Sequence, residues 1–132
     1  MTFNVLLYRL SGGRLGSRMA GQSVLLLHTT GRKSGKSYLT PLNYYRDGDH
    51  YILVASNWGK DHHPDWFYNL TAQDTAVIQV KDRSLPVRAR LAEGEEYQRL
   101  WRYVTDKNDF YVRYQEKTDR KIPLVILTPE KA

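Results

Sequence analysis

A short basic segment contains the residue types that point most directly to chemistry. Residues 31–37 read GRKSGKS, so two glycines flank three positions and a further cation follows. Glycines leave backbone N–H groups open to an anion, while Arg32, Lys33 and Lys36 supply positive charge. A P-loop needs four residues between its glycines and then a helix, whereas here three intervene and a strand-like, proline-containing run follows. The segment therefore predicts an anion-binding turn or a solvated hairpin turn, and both stay open.

The loop at residues 56–66 (SNWGKDHHPDW) is the second candidate, because it joins a buried strand to a helix. The start of that helix offers free N–H groups to an anion, and Ser56 offers a hydroxyl to a carbonyl. His62 and His63 are adjacent, so their side chains point apart on an extended chain, and no third ligand stands at a helpful spacing. We therefore predict no metal site. From its residue type alone, Trp66 is expected to pack in the hydrophobic core rather than to form a surface on which a ligand stacks.

Two tyrosines form the third candidate. Tyr111 and Tyr114 stand three residues apart and share one face if residues 110–115 are helical. Two phenols on one face can wall a flat substrate and donate hydrogen bonds, but the segment also fits an amphipathic helix packed on the domain. The sequence contains no pattern of the Ser-His-Asp or paired-carboxylate kind.

The composition narrows the class of protein. The chain has 132 residues, no cysteine, 20 Lys and Arg against 14 Asp and Glu, and 12% aromatic residues. The lack of cysteine excludes disulfides, zinc thiolates, iron–sulfur clusters and a cysteine nucleophile. The net charge of +6 favours an anionic partner such as a phosphate cofactor, an acidic lipid or nucleic acid. The aliphatic runs are too short to span a membrane, and we expect no signal peptide.

Hydrophobic periodicity predicts the elements that must position these residues. Strands are predicted at residues 23–29, 37–46, 50–56, 75–80, 84–91 and 122–128, and helices at 2–10, 65–72, 93–107 and, more briefly, 109–118. Pro41 indicates an edge or a bulge, and Asp47-Gly48 a hairpin turn. We predict a mainly β domain: an antiparallel barrel of about six strands with two to three flanking helices.

The same segments, in the same order, resemble the deazaflavin (F420)-dependent nitroreductase family, also described as F420-dependent quinone reductases. The matching stretches are LLLHTTGRKSG (25–35), TPL (40–42), RDG (46–48), VASN (54–57), HPDWFYNL (63–70), and YQ (114–115) through TDR (118–120) to IP (122–123). Each stretch is weak alone, but their order and spacing are specific.

The resemblance implies a split β-barrel of the FMN-binding, flavin-reductase-like kind over residues 23–132. The matching stretches themselves span roughly residues 23–129. For residues 1–22, residue spacing rather than the resemblance predicts an N-terminal amphipathic helix and a glycine-rich link without regular structure. The implied cofactor is F420, a deazaflavin with a phosphate and a polyglutamate tail. Its reduced form would pass a hydride from C5 to a quinone, an enone or a nitroaromatic acceptor, so the protein would need no nucleophile.

The resemblance also implies site residues. The cofactor-binding positions are Arg32, Lys33, Ser34, Tyr38, Leu39, Thr40, Pro41, Leu42, Asn43, Val54, Ala55, Ser56, Asn57, Asp65, Trp66, Phe67, Tyr68, Asn69 and Tyr111. The catalytic residues are Ser56 and Tyr111, which would orient or polarise the acceptor oxygen, and Tyr114, which would wall the acceptor. Three positions depart from the family pattern: Tyr38 stands where an arginine is common, Trp58 where glycine is common, and Asn43 where some members carry an aromatic residue.

Several alternatives remain at this point. The same scaffold could serve an FMN-dependent reductase, or a non-catalytic protein that binds a lipid or another cofactor; a nucleic-acid-binding barrel is supported only by charge and aromatic content, and we expect no nucleic acid. We expect a cytoplasmic protein with a small-molecule hydride acceptor, as a monomer or a homodimer. Residues 1–22 either cover one end of the barrel or contact an anionic membrane at its inner face.

Overall fold

The computed structural model describes residues 18–19 and 22–130, and all the elements below lie within them. The eight strands are β1 (Arg18–Met19), β2 (Gln22–Thr30), β3 (Ser37–Asn43), β4 (Tyr45–Asp47), β5 (His50–Val54), β6 (Thr75–Val80), β7 (Arg83–Leu91) and β8 (Leu124–Pro129). The three α-helices are α1 (Asp65–Ala72), α2 (Gly94–Lys107) and α3 (Phe110–Glu116), and a single 3₁₀ turn spans Asn57–Gly59.

The strands form one antiparallel sheet that closes on itself. Its hydrogen-bonded order is β1-β2-β6-β7-β8-β5-β4, and β3 pairs with the other edge of β2. Only Tyr44 separates β3 from β4, so these two strands are one bent strand that pairs with β2 by its first half and with β5 by its second. Counted in this way, six strands surround the core. The predicted antiparallel barrel with flanking helices is confirmed.

The bend lies at Tyr44 rather than at the proline. The N–H of Tyr44 donates to the carbonyl of Ser23 at 3.0 Å, after which the chain leaves β2. Pro41 stays in register opposite Leu26, where its missing N–H costs little because β3 has β2 as its only strand partner in the described part of the chain. The prediction of an edge at Pro41 is confirmed, and the predicted strand at 37–46 is interrupted, but at Tyr44 rather than at Pro41.

Some predicted ends also differ. The predicted strand 50–56 stops at Val54, and the predicted strand 122–128 begins only at Leu124. The N–H of Ile122 donates to the side-chain oxygen of Gln115 at 2.9 Å instead of joining the sheet. The hairpin at Asp47-Gly48 is confirmed, since Asp47 pairs with His50 across two residues and Gly48 has φ +60°.

The glycine-rich link departs from its prediction. Arg18–Met19 pairs antiparallel with the start of β2, so the link includes a short strand where none was expected. Two residues suffice for such a pairing when a strand follows closely. The predicted helix at 2–10 lies outside the described residues. Among the helices of the described part of the chain, none has the length and apolar content needed to cross a membrane.

Two hydrophobic clusters explain the aliphatic patterns. Leu25 and Leu27 of β2 belong to the cluster inside the barrel, while Leu26 between them packs with Leu39 on the opposite face. A strand that buries both faces needs a continuous aliphatic run. The second cluster lies between the sheet and the helices. There α2 buries Tyr97, Leu100 and Val104 and packs Trp101 against them, the four residues whose i, i+3, i+4, i+7 spacing predicts one buried face.

The 3₁₀ turn and α3 approach each other closely at Gly59. This glycine has φ +77°, and a Cβ atom there would lie 2.8 Å from the carbonyl oxygen and 3.0 Å from the Cα of Tyr114. Both contacts are with backbone, which cannot rotate away. The residue type at this position therefore controls how closely the loop at 55–63 and α3 approach each other.

We expect Gly59→Ala to destabilise the protein more than Gly48→Ala. Both glycines have positive φ, but a Cβ atom at Gly48 meets nothing within 4 Å. The control should cost about 1 kcal/mol from the left-handed backbone alone. Gly59→Ala should cost about 1–3 kcal/mol more from overpacking. Urea unfolding measures both, and equal costs would contradict the close packing of the loop on α3.

Candidate functional site

A cleft of about 680 Å³ opens between the bent strand, the loop after β5, the start of α1 and helix α3. Nine of the residues predicted for the site line it: Pro41, Leu42, Asn43, Val54, Ser56, Asn57, Trp66, Tyr111 and Tyr114. Six further lining residues were not predicted as site residues: Val24, Leu53, Trp58, Pro64, Asn108 and Phe110. The walls are mainly apolar and aromatic, which suits a flat organic ligand.

The other predicted residues lie outside the cleft lining. Arg32, Lys33 and Ser34 are in the turn between β2 and β3, while Tyr38, Leu39 and Thr40 follow on β3 between that turn and the cleft. Ala55 is fully buried behind the lining. Asp65, Phe67, Tyr68 and Asn69 are on α1, which faces the turn through Asp65, Tyr68 and Asn69.

The basic segment is a hairpin turn, with Thr30 paired to Ser37 across it. The N–H of Gly31 donates to the carbonyl of Lys36 at 2.7 Å, and Gly35 has φ +72°. Because the turn runs directly into a strand, the P-loop conformation is not formed. The cationic side chains are exposed there, as an anion-binding turn requires.

Helix α1 fixes one of these cations. The side-chain oxygen of Asn69 accepts hydrogen bonds from the backbone N–H and from the guanidinium of Arg32, both at 3.1 Å. The guanidinium also lies 4.9 Å from the centre of the Tyr68 ring and 3.6 Å from a carboxylate oxygen of Asp65. Asn69 is only 5% exposed, and its amide donates to Thr29. The buried side chain of Asn69 therefore positions Arg32.

Tyr38 supports the same turn. Its hydroxyl lies 3.3 Å from the hydroxyl of Ser34, which in turn accepts the N–H of Lys36 at 3.2 Å. A Cβ atom at Gly31 would lie 2.6 Å from the Tyr38 ring, so only glycine allows the ring to pack there. The Tyr38 side chain thus packs directly on the turn, through Ser34 and against Gly31.

Arg120 holds the loop that borders the cleft. Its guanidinium donates to three backbone carbonyls, those of Ala55 at 3.1 Å, Ser56 at 2.6 Å and Lys60 at 2.8 Å. It also lies 3.0 Å from Nδ1 of His63. A guanidinium carries five N–H donors in a fixed plane, so a single side chain sets the path of the whole loop.

The two histidines have different partners. His63 contacts Arg120 through Nδ1, and its ring packs against Phe67 at a tilt of 49° with centroids 4.5 Å apart. Burial, and then the positive charge of Arg120, lower the pKa of His63, so the ring is neutral and accepts the hydrogen bond. His62 instead bonds to Asp61 at the surface. Within residues 22–130, no three metal-binding side chains gather into a candidate site.

Trp58 stands at the cleft mouth in an unusual backbone conformation. Asn57 and Trp58 both have positive φ, at 47° and 60°. The Trp58 ring is 70% exposed and meets Tyr114 edge-on at 6.1 Å. Two consecutive non-glycine residues with left-handed backbone conformation are energetically costly. Such strain is commonly found at functional sites, where the backbone must hold a side chain in a particular orientation.

Tyr111 lies at the inner end of the cleft. It is 6% exposed, and its hydroxyl is 3.0 Å from that of Tyr45. Burial raises the pKa of Tyr111 well above its ordinary value, and the hydrogen bond with Tyr45 raises it further. Tyr111 is therefore a neutral hydroxyl that keeps its proton. It suits hydrogen bonding to an acceptor rather than acid–base transfer.

Strand β3 connects the turn to the cleft. Its seven residues begin at the last residue of the turn and end at Asn43 on the cleft wall. At about 3.3 Å per residue the two ends are roughly 20 Å apart. The predicted residues thus form two groups, a cationic turn and an apolar cleft, joined by one strand. That arrangement suits a long ligand with a flat ring at one end and anionic groups at the other.

Two polar residues that contribute to the cleft or to its bordering loop, Arg120 and Asn108, were not among the predicted site residues. Arg120 lies within the TDR stretch that carries the resemblance, which was the available signal, but nothing in that stretch says that its side chain reaches the loop after β5. Asn108 precedes α3 and accepts the N–H of Phe110, a pattern that reads as a local turn. Its place on the cleft wall depends on how α2 and α3 meet.

Known proteins resemble this chain over most of its length. The family model for F420H(2)-dependent quinone reductase matches residues 1–129. An F420H(2)-dependent quinone reductase of Mycobacterium tuberculosis is 41% identical over 126 residues, which cover 92% of this chain and 85% of that protein.

Solved structures agree with this result. An F420H2-dependent reductase termed FDR-A superposes with a TM-score of 0.72 at 40% identity, over 79% of this chain and 92% of that one. An FAD-binding protein of Mesorhizobium loti superposes with a TM-score of 0.56 at 15% identity, over 99% and 90% of the two chains, and supports the fold alone. The predicted split barrel is confirmed. The protein is a member of the F420H(2)-dependent quinone reductase family.

Proposed function

We propose that the protein transfers a hydride from reduced F420 to a quinone. The observation that carries this proposal is the joined pair of sites: an apolar, aromatic cleft and a cationic turn at the two ends of β3. Relatives at about 40% identity are named for the same cofactor and reaction. In the overall reaction the reduced cofactor and the quinone become oxidised F420 and the hydroquinone, so two electrons and two protons balance.

The cationic side chains of the turn and the apolar side chains of the cleft fit such a cofactor. Lys33 and Lys36 are exposed beside the fixed guanidinium of Arg32, which suits a phosphate and carboxylates. The cleft offers aliphatic and aromatic walls of the kind that a deazaflavin ring needs, including Leu42 and Trp66. When bound, the deazaflavin supplies the hydride from its C5 carbon.

The chain itself binds and orients the reactants. Ser56 lines the cleft where Arg120 fixes its backbone carbonyl, so its hydroxyl is held beside the cavity. Tyr111 offers a neutral hydroxyl at the inner end, and Tyr114 forms a wall with Trp58. We propose that Ser56 and Tyr111 polarise the acceptor oxygen while Tyr114 walls its ring. Enones and nitroaromatics present similar oxygens and are proposed as further acceptors.

Parallel titrations with F420 and FMN test the cofactor. We expect saturable quenching of fluorescence by F420 and much weaker binding of FMN, because FMN lacks the polyanionic tail that the turn would hold. Reduced F420 should then be oxidised on addition of menadione. Tight binding of FMN alone would assign the protein to the flavin branch, and binding of neither would favour a non-catalytic carrier.

Lys33→Ala should weaken F420 binding by roughly fivefold, the size expected for losing one solvent-exposed charge pair. Arg102→Ala removes one exposed positive charge from α2, outside the cleft lining, and serves as the control. The dissociation constants come from fluorescence titrations at low and high salt. The difference between the two variants should shrink at high salt, because exposed pairs are screened. An unchanged affinity in Lys33→Ala would refute the assignment of the turn to the tail.

Tyr111→Phe should lower turnover of menadione more than it weakens F420 binding. The substitution removes one hydrogen-bond donor from the acceptor site, which corresponds to about a tenfold loss in kcat/KM. Tyr97→Phe is the matched control, since the buried Tyr97 hydroxyl donates to the carbonyl of Ile122 outside the cleft lining. Steady-state kinetics and F420 titrations are compared for both variants. Equal kinetics in the two variants would remove Tyr111 from the proposed site.

A further inference from the structure

Trp58 is a large aromatic residue that the fold leaves exposed within the cleft lining. It borders the cavity, yet 70% of its surface is accessible to solvent. Its ring meets Tyr114 edge-on, with centroids 6.1 Å apart and an angle of 73° between the ring planes. Burial of apolar surface stabilises a fold in proportion to the area that leaves water. Most of the indole therefore contributes little to the stability of the protein.

The backbone at Trp58 favours a different residue type. Asn57, Trp58 and Gly59 have consecutive φ values of +47°, +60° and +77°. A Cβ atom makes left-handed backbone costly, so local conformation alone would favour glycine at position 58. Because the exposed ring offsets little of this cost by burial, neither the backbone nor the hydrophobic core accounts for a tryptophan here. The remaining surroundings of the ring are those of the cleft, where a ligand can cover it.

Hydrogen bonds hold the backbone on both sides of Trp58. The N–H of Gly59 donates to the carbonyl of Ser56 at 2.9 Å. The side-chain amide of Asn57 donates to the carbonyl of His62, also at 2.9 Å. The indole is thus attached to a backbone of defined path, and a ligand that contacts it would not have to order the loop.

Of the two aromatic rings that meet here, Trp58 has the larger free area. Tyr114 is half-buried, its ring lies 6.4 Å from that of Tyr111, and the ammonium of Lys117 lies 5.7 Å from its centre. The face of an indole carries partial negative charge, which favours stacking of a flat ring that is poor in electrons. Quinones have rings of this kind, so the exposed indole suits the acceptor.

We propose that Trp58 is a specificity-determining residue, on which the ring system of the acceptor stacks. This inference rests on the proposed function. It makes ring area the property that is selected, because two fused rings cover more of the indole than one ring does and gain more from the contact. The deazaflavin ring is assigned to walls that include Leu42 and Trp66, so the affinity for F420 should not depend on the indole.

Steady-state kinetics with two quinones test the proposal. Menadione has two fused rings and duroquinone has one, and each is reduced with reduced F420 by the wild-type protein and by Trp58→Ala. The variant should lose about tenfold in kcat/KM for menadione and about two- to threefold for duroquinone. The loss should lie mainly in KM, because stacking stabilises the bound acceptor and the transition state alike. Comparison of the two quinones within each protein cancels their different intrinsic reactivities.

Trp58→Phe should recover most of the activity with menadione, since it retains an aromatic face at the same position. A variant with phenylalanine that is as impaired as Trp58→Ala would contradict stacking. Equal losses for menadione and duroquinone in Trp58→Ala would also overturn the proposal, because selection by ring area would then be absent.

Trp101→Ala is the matched control, because the half-buried Trp101 stacks on Tyr97 outside the cleft lining. It should lower Tm by about 5 °C or more and leave the ratio of the two kcat/KM values unchanged. Trp58→Ala should lower Tm by less than about 2 °C, because its ring is mostly exposed. A fall as large as that of the control would mean that the indole supports the fold, which would overturn the proposal.

Titration with F420 distinguishes an acceptor wall from a cofactor wall. The Kd, measured by the fluorescence of the cofactor itself, should be the same for Trp58→Ala and the wild-type protein. A Kd for F420 that rises as much as the KM for menadione would overturn the proposal, since the indole would then contact the cofactor.

Trp58→Gly provides a second variant should Trp58→Ala fail to fold, because glycine accommodates a φ of +60° without a Cβ atom. It should show the same selective loss with menadione, and a wild-type ratio of the two quinones would refute the proposal. Failure of the wild-type protein to bind F420, or to reduce either quinone, would instead overturn the proposed function. The wild-type measurements therefore distinguish that outcome from failure of this inference.

Discussion

The guanidinium of Arg120 is the contact on which the geometry of the cleft depends. Its N–H groups donate to the carbonyls of Ala55, Ser56 and Lys60 where the chain leaves β5, and the Ser56 carbonyl also accepts the N–H of Gly59 at 2.9 Å. Part of this cation is out of water, and burial lowers its pKa, yet the hydrogen bonds to carbonyls offset the cost of desolvation. Because the loop carries Ser56 and Trp58 to the cavity, their positions follow from this one side chain.

The bent strand supplies the second constraint. It closes the barrel by pairing with β2 and then with β5, and it therefore ties the cationic turn at one end to the cleft at the other. Helix α1 also fixes the turn, because the side-chain oxygen of Asn69 accepts hydrogen bonds from both the backbone N–H and the guanidinium of Arg32. A long anionic ligand would thus meet a site whose two parts are already at a set distance. The protein would then lose little conformational entropy when the ligand binds.

The groups at the inner end of the cleft are neutral. Tyr45, Tyr111, Asn43 and Asn108 carry no charge, and burial raises the pKa of both phenols, which keeps them protonated. Neutral donors suit hydride transfer, because the cofactor carries the reactive hydrogen and the protein needs only to orient the acceptor and stabilise its developing charge. The exposed ring of Trp58, held on a backbone with positive φ, also lines this cleft.

Local signals were sufficient for most of the fold. Alternation and aliphatic runs located the strands, the Asp47-Gly48 pair marked a hairpin, and the apolar stripe of α2 marked its buried face. Ordered motifs identified the family and nine of the residues that line the cleft. The bend at Tyr44, the reach of Arg120 and the pairing of Tyr45 with Tyr111 were not accessible in this way. The two tyrosines stand 66 positions apart, and Arg120 and Ser56 stand 64 apart, so only closure of the barrel and docking of α3 bring them together.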